Sequence, residues 1–132
     1  MGQIIMQQRS YVIFSNETTV KILRFLKCGF RHCFIIIGNK NTTTVIDPIL
    51  FKIDVNIFNN NIDIVRDICI KNNMIAIDVT KYFIGKDIGK KDNRFSFGIF
   101  TCVEVIKRIL GIKNKFILTP YRLYKFLNEN NN

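Results

Sequence analysis

The chain has 132 residues, 48% of them hydrophobic, and a mean hydropathy of +0.13. That is enough apolar material for one domain with a real core (residues 1–132, core about 11–127) and it excludes general disorder. Twenty Lys+Arg against ten Asp+Glu give a net charge of +10, which favours polyanionic neighbours such as nucleic acid, anionic cell wall or lipid headgroups. The basic residues are scattered along the chain, so the charge is equally consistent with a plain soluble basic surface.

Residues 11–14 read as a short strand. Thr18 or Thr19 then caps a helix expected over residues 20–27, with Lys21, Arg24 and Lys27 along one side and Gly29 stopping it. In FRHCFIII, His32, Phe34 and Ile36 alternate with Cys33, Ile35 and Ile37, so both faces of that strand are expected to be covered. The polar segment GNKNTTT turns the chain, and residues 43–47 return as the second arm of a hairpin that Asp47-Pro48 ends. FKIDVNI is apolar at 51, 53, 55 and 57, the pattern of a strand with one wet face. Ile62, Val65 and Cys69, with Ile64 and Ile68, predict an amphipathic helix ending near Asn72-Asn73, with Cys69 in the core. Residues 74–79 read as another strand, and GKDIGKKDNR (85–94) as a charged surface loop.

The last third is helical. Thr101-Cys102-Val103-Glu104 is a capping-box pattern, in which the Thr hydroxyl and the Glu carboxylate satisfy opposite backbone amides, and it puts Cys102 at the first helical position. Glu104 and Arg108 are spaced for an i,i+4 pair, and Gly111 supplies a left-handed stop. Thr119-Pro120 caps and opens a final helix over 120–127, after which residues 128–132 are expected to fray. The fold class is therefore α+β, a small antiparallel sheet of about four to six strands packed by helices.

Cysteine and histidine usage narrows the chemistry. Residues 1–10 lack a charged leader with a long apolar stretch, and runs such as 33–37 are far too short to span a bilayer, so neither a secretory signal nor a transmembrane segment is expected. Gly2 does not complete a myristoylation motif, because Met6 stands where Ser or Thr belongs. Without a leader, Cys28, Cys33, Cys69 and Cys102 read as reduced thiols. The single histidine excludes a two-histidine zinc site, and alternation sets Cys33 opposite His32, so no metal or other cofactor is expected.

A helix start carries partial positive charge and free amide donors, which favour thiolate over thiol and can hold an oxyanion. Cys102 sits there, on the stripe with Ile106 and Ile109 that must face the sheet. A cysteine hydrolase also needs a base within reach and a group to orient it. His32 is the only imidazole, and the neighbouring antiparallel strand brings Asp47 back towards it. Cys102, His32 and Asp47 are thus the predicted catalytic triad: sulfur attacks, imidazole moves the proton, carboxylate fixes the ring.

A histidine strand, a strand ending in a polar residue, and a cysteine opening a helix packed on both resemble the papain-like fold of NlpC-type cell-wall peptidases. Those enzymes run cysteine, histidine, polar residue; the order His32, Asp47, Cys102 resembles a circularly permuted member. LRFLKCGFRHCFIIIG, VIDP and FTCVEVIKRILGI…LTPYRLYKFL are also similar to small uncharacterised proteins of phages and phage-like elements, over most of residues 11–127. The resemblance implies a cysteine peptidase or amidase whose substrate is a peptide or amide, a peptidoglycan stem peptide among them. With no secretory signal visible, a place in the cytoplasm of the producing cell or on a virion is expected. Papain-like enzymes usually carry an oxyanion glutamine upstream of the cysteine; RFSFGIFT offers only Ser96, leaving the Cys102 amide and Tyr11 as donors.

Other readings stand beside this one. Cys102 and Cys33 also suit a buried core, His32 a ring satisfied by a backbone carbonyl, and Asp47 a turn. Lys21, Arg24, Lys27 and Arg31 suit either a solvated face or an anionic-ligand surface, and Tyr121 and Tyr124 suit helix packing. The alternative function is a non-catalytic basic structural or interaction protein of a phage particle, bound to other particle proteins. Nucleic-acid contact has charge in its favour but no helix-turn-helix, zinc-finger or ribonucleoprotein motif.

Overall fold

A computed structural model describes residues 8–16, 29–49, 52–83 and 101–131. The helix expected over 20–27, the loop 85–94, Cys28 and Ser96 lie outside the described residues.

Two runs of β-branched and aromatic residues form the centre of the sheet. They are β1 (Arg9–Ser15) and β2 (His32–Gly38), antiparallel with Tyr11 opposite Ile36 and Phe14 opposite Cys33. Around them lie β3 (Thr43–Ile49), β4 (Lys52–Phe58) and β5 (Ile75–Asp78), in the order β4-β3-β2-β1-β5, all antiparallel. The three helices are α1 (Ile62–Lys71), α2 (Thr101–Leu110) and α3 (Pro120–Asn130). The described residues thus make an α+β fold with five antiparallel strands and three helices.

The helices take opposite faces of the sheet. Val12, Phe14, Cys33 and Ile35 point into a core with Cys102, Val103, Ile106 and Leu110 of α2 and Leu123 and Leu127 of α3. Tyr11, Ile13 and Ile36 pack with Ile62 of α1 on the other side. Strand alternation divides these side chains, and each buried aliphatic residue is worth about 1.5–3 kcal/mol. Phe14, Phe30, Tyr121 and Tyr124 form an aromatic cluster with centroids 4.8–5.8 Å apart along Phe14–Phe30, Phe30–Tyr124 and Phe14–Tyr124, so both tyrosines serve helix packing. Lys107 is buried in this layer, its Nζ donating to the Ile117 carbonyl at 3.0 Å and to Glu104 at 3.3 Å.

Turn and cap chemistry follows the residues. Asn39 closes the β2–β3 hairpin by accepting from the amides of Asn41 and Thr42, at 2.8 and 3.0 Å. A Cβ on Gly38 would collide with the Thr42 carbonyl oxygen. Gly38→Ala is therefore expected to destabilise the protein by about 2 kcal/mol or more, read as a lowered urea midpoint with an unchanged slope. Asn61 caps α1 and Thr119 caps α3, and Gly111 ends α2 at φ 73 with the Ile112 amide donating to the Lys107 carbonyl.

Three expectations need correction. β3 does not end at Asp47-Pro48 but runs to Ile49. Pro48 pairs only with β4, across from Ile53, and a strand with one neighbour accommodates proline. α3 continues to Asn130, tied down by Lys81 Nζ on the Asn130 carbonyl and by Asn131 on the Asp78 carbonyl, where a frayed tail was expected. β4 does not bury its apolar face: Ile53, Val55 and Ile57 are 50%, 57% and 71% exposed. It is an edge strand, and α2 lies over β2 and β3.

The ladder between β2 and β3 stops at Ile35–Ile46, whereas β1–β2 pairing continues to Ser15–His32 and β3–β4 pairing to Ile49–Lys52. At this end the sheet forks, and the start of α2 lies against the forked strands.

Candidate active site

Cys102 is the second residue of α2, the ten-residue helix whose apolar stripe (Val103, Ile106, Leu110) is buried on the sheet. That packing directs the sulfur at β2, with 5% of the residue exposed. His32 opens β2 and Asp47 lies on β3, both beyond the last β2–β3 pair at Ile35–Ile46. His32 Nε2 is 2.5 Å from Asp47 Oδ1, and their side chains are 19% and 31% exposed, so the site reaches solvent through these two.

Alternation starts His32 on the face opposite Cys102, because Cys33 and Ile35 belong to the α2 side and Phe34 and Ile36 to the α1 side. Yet the His32 ring and the Cys102 sulfur each shift the pKa of the other, so the two groups lie near one another. The absent β2–β3 rungs explain this, since no paired β3 backbone separates ring from helix. Cys102, His32 and Asp47 therefore share one site at the fork.

The electrostatics suit a thiolate–imidazolium pair. Burial opposes charge on His32, but hydrogen bonds to Asp47 and Cys102, together with their negative charges, outweigh it and raise the ring to about 9. For Cys102 the largest influence is a hydrogen bond from Cys33; burial works against it, and the His32 hydrogen bond, its positive charge and the Cys33 backbone N–H bring the thiol down to about 5. Burial pushes Cys33 well above the ordinary thiol range, so it remains an S–H donor.

Alternation places Cys33 in the core, where it is, but gives no sign of its influence on the Cys102 thiol. Tyr11 is not an oxyanion donor: it is buried on the α1 side, accepting from Arg66 at 2.8 Å and donating to Asp63 at 3.4 Å. Cys69 is half-buried on that same side, its pKa raised by burial. Among the described residues no group of three or more His, Cys, Asp or Glu side chains is arranged to hold a metal ion, and no helix is long and apolar enough to cross a membrane. Compared with protein-family models, curated proteins and solved structures, the chain matches none.

Because Asp47 stabilises the charged ring, Asp47→Asn is expected to lower the His32 pKa from about 9 by one unit or more. The only histidine of the chain gives isolated imidazole proton signals, so an NMR titration reads this directly.

Proposed function

We propose that this chain is a cysteine hydrolase of permuted papain-like topology that cleaves an amide bond, in peptidoglycan stem peptides, through a thioester on Cys102. The observation that carries the reading is the sole imidazole, held 2.5 Å from Asp47, beside a helix-start sulfur brought to about 5. An antiparallel sheet with its histidine strand beside the strand of the polar residue, under a cysteine helix, supports the permuted topology.

In the first half-reaction Cys102 Sγ attacks the carbonyl carbon, and the electron pair moves onto oxygen. The amide N–H groups at the start of α2 supply donors for that charge. The imidazolium of His32 protonates the leaving nitrogen as the C–N bond breaks, leaving the thioester and a neutral ring. In the second, His32 takes a proton from water, hydroxide adds to the thioester, and the C–S bond breaks to return thiolate and imidazolium with a carboxylic acid, which gives its proton to solvent as it leaves. Asp47 holds the ring through both steps.

On this reading the protein belongs to a phage or phage-like element and reaches the cell wall by particle delivery or lysis. The second reading, a non-catalytic basic protein of a phage particle, is favoured by the 5% exposure of Cys102 and the net charge of +10. Digestion of purified peptidoglycan, followed by chromatography and mass spectrometry of the released fragments, separates the two. The hydrolase reading expects new amino and carboxyl termini that are absent with Cys102→Ala. No cleavage, or cleavage equal with both proteins, overturns it.

A further inference from the structure

We propose that the groove between α3 and the segment joining it to α2 binds single-stranded nucleic acid, with Phe116 stacking on a base and Lys115, Arg122 and Lys125 meeting the phosphates. The groove shares no residue with the site at the fork, and the inference does not depend on the hydrolase reading.

Helical spacing gives α3 two stripes. Pro120, Leu123 and Leu127 are buried, while Tyr121, Arg122, Lys125 and Phe126 fall on an adjoining face at i,i+4 intervals. That second stripe, with Phe116 and Ile117 across from it, lines a cavity of about 390 Å³, a volume within the usual range of ligand sites. Tyr121 is fixed there by its edge contact with Phe30, centroids 5.1 Å apart.

Phe116 is 70% exposed, so the core gains little from a phenyl ring at this position. Its backbone is nevertheless held. The Phe116 N–H donates to Asn114 Oδ1 at 2.9 Å, and the next residue, Ile117, is buried with its carbonyl accepting from Lys107 Nζ at 3.0 Å. A ring presented on an anchored backbone costs less ordering when a ligand stacks on it.

Each of the two aromatic rings has an ammonium beside it. Lys115 Nζ lies 5.6 Å from the centre of the Phe116 ring and Lys125 Nζ 5.9 Å from that of Tyr121. A π-face with a cation alongside is the pairing that a nucleotide requires, the ring for its base and the charge for its phosphate. Glu129 is the only acid among the described residues lining the groove, and Arg122 and Lys125 outweigh it. Lysines alone would attract any polyanion; exposed aromatic surface beside them selects one with flat bases. In a duplex those bases are stacked on each other, so the ligand is a single strand.

Fluorescence anisotropy of a dye-labelled oligothymidylate, titrated with the full chain at several salt concentrations, tests this. Phe116→Ala should weaken binding by about 5- to 100-fold with the salt slope unchanged, while Phe116→Trp, which keeps a stacking face, should bind at least as tightly as wild type. Arg122→Gln and Lys125→Gln should each flatten the dependence of log Kd on log salt by about 0.7. All four changes are at exposed positions, and thermal unfolding curves check that each variant is folded. No binding of the strand overturns the inference, as does equal binding by wild type and Phe116→Ala, which would assign the affinity to the general basic surface. Phe116-dependent binding to phosphatidylglycerol vesicles in place of the strand would assign the groove to an anionic membrane and overturn it as well.

Discussion

Cys102→Ala is expected to reduce amide hydrolysis by about 10^4-fold or more, leaving only what binding and the helix amides contribute. No other described thiol can substitute. Cys33 is fully buried and held as a thiol, and Cys69 lies on the opposite side of the sheet. The variant should still fold, because it loses one sulfur atom at the rim of a core built from Ile106, Leu110, Leu123 and Leu127; a loss of about 1–2 kcal/mol is expected. Cys102→Ser should fare little better, since a serine hydroxyl stays un-ionised near neutrality and is a weaker nucleophile than a thiolate. Initial rates on peptidoglycan fragments, beside thermal unfolding curves, check both halves; more than about a tenth of wild-type activity in the alanine variant would contradict the assignment.

The second large effect is on pH. With Cys102 brought to about 5 and His32 raised to about 9, the reactive ion pair exists between those values, so activity should rise through about 5 and fall through about 9. The two values belong to the pair and not to either group alone. His32→Ala should cost about 10^3–10^4-fold in rate and raise the alkylation midpoint of Cys102, because the positive partner is gone.

Stability follows the same charges with opposite signs. The His32 contribution is complete below 6.5 and is lost as pH rises to about 9; that of Cys102 is complete above 9.0 and is lost as pH falls to about 5. Between 6.5 and 9.0 the slopes cancel, leaving a plateau. Acidification from 6.5 to about 5 removes about 2 kcal/mol. Melting temperatures of wild type and Cys102→Ala across that range should converge towards the acid end.

Much of the fold was legible because short-range rules decided it. Helical spacing located α1, Thr119-Pro120 opened α3, and Gly111 closed α2. The candidate site was legible for a different reason: one histidine, one cysteine in a helix-opening pattern and one carboxylate on the returning strand left few combinations. What alternation could not say was whether anything covers an apolar face. Ile53, Val55 and Ile57 read as a core-facing row and lie on the open edge, because the chain crosses the sheet through α1 and places β5 beside β1. The fork was equally invisible. Where a ladder stops depends on which partner each strand keeps, and β2 stays with β1 while β3 stays with β4. The continuation of β3 through Pro48 follows from that break, so it could not be read from local pattern.

The central claim is that Cys102 and His32 form an ion pair in the folded protein. Thiolate absorbance near 240 nm, recorded against pH as the difference between wild type and Cys102→Ala, measures it most directly. A step of one thiolate with a midpoint near 5 is the predicted result; a step near 8.5, as for an ordinary free cysteine, would contradict it.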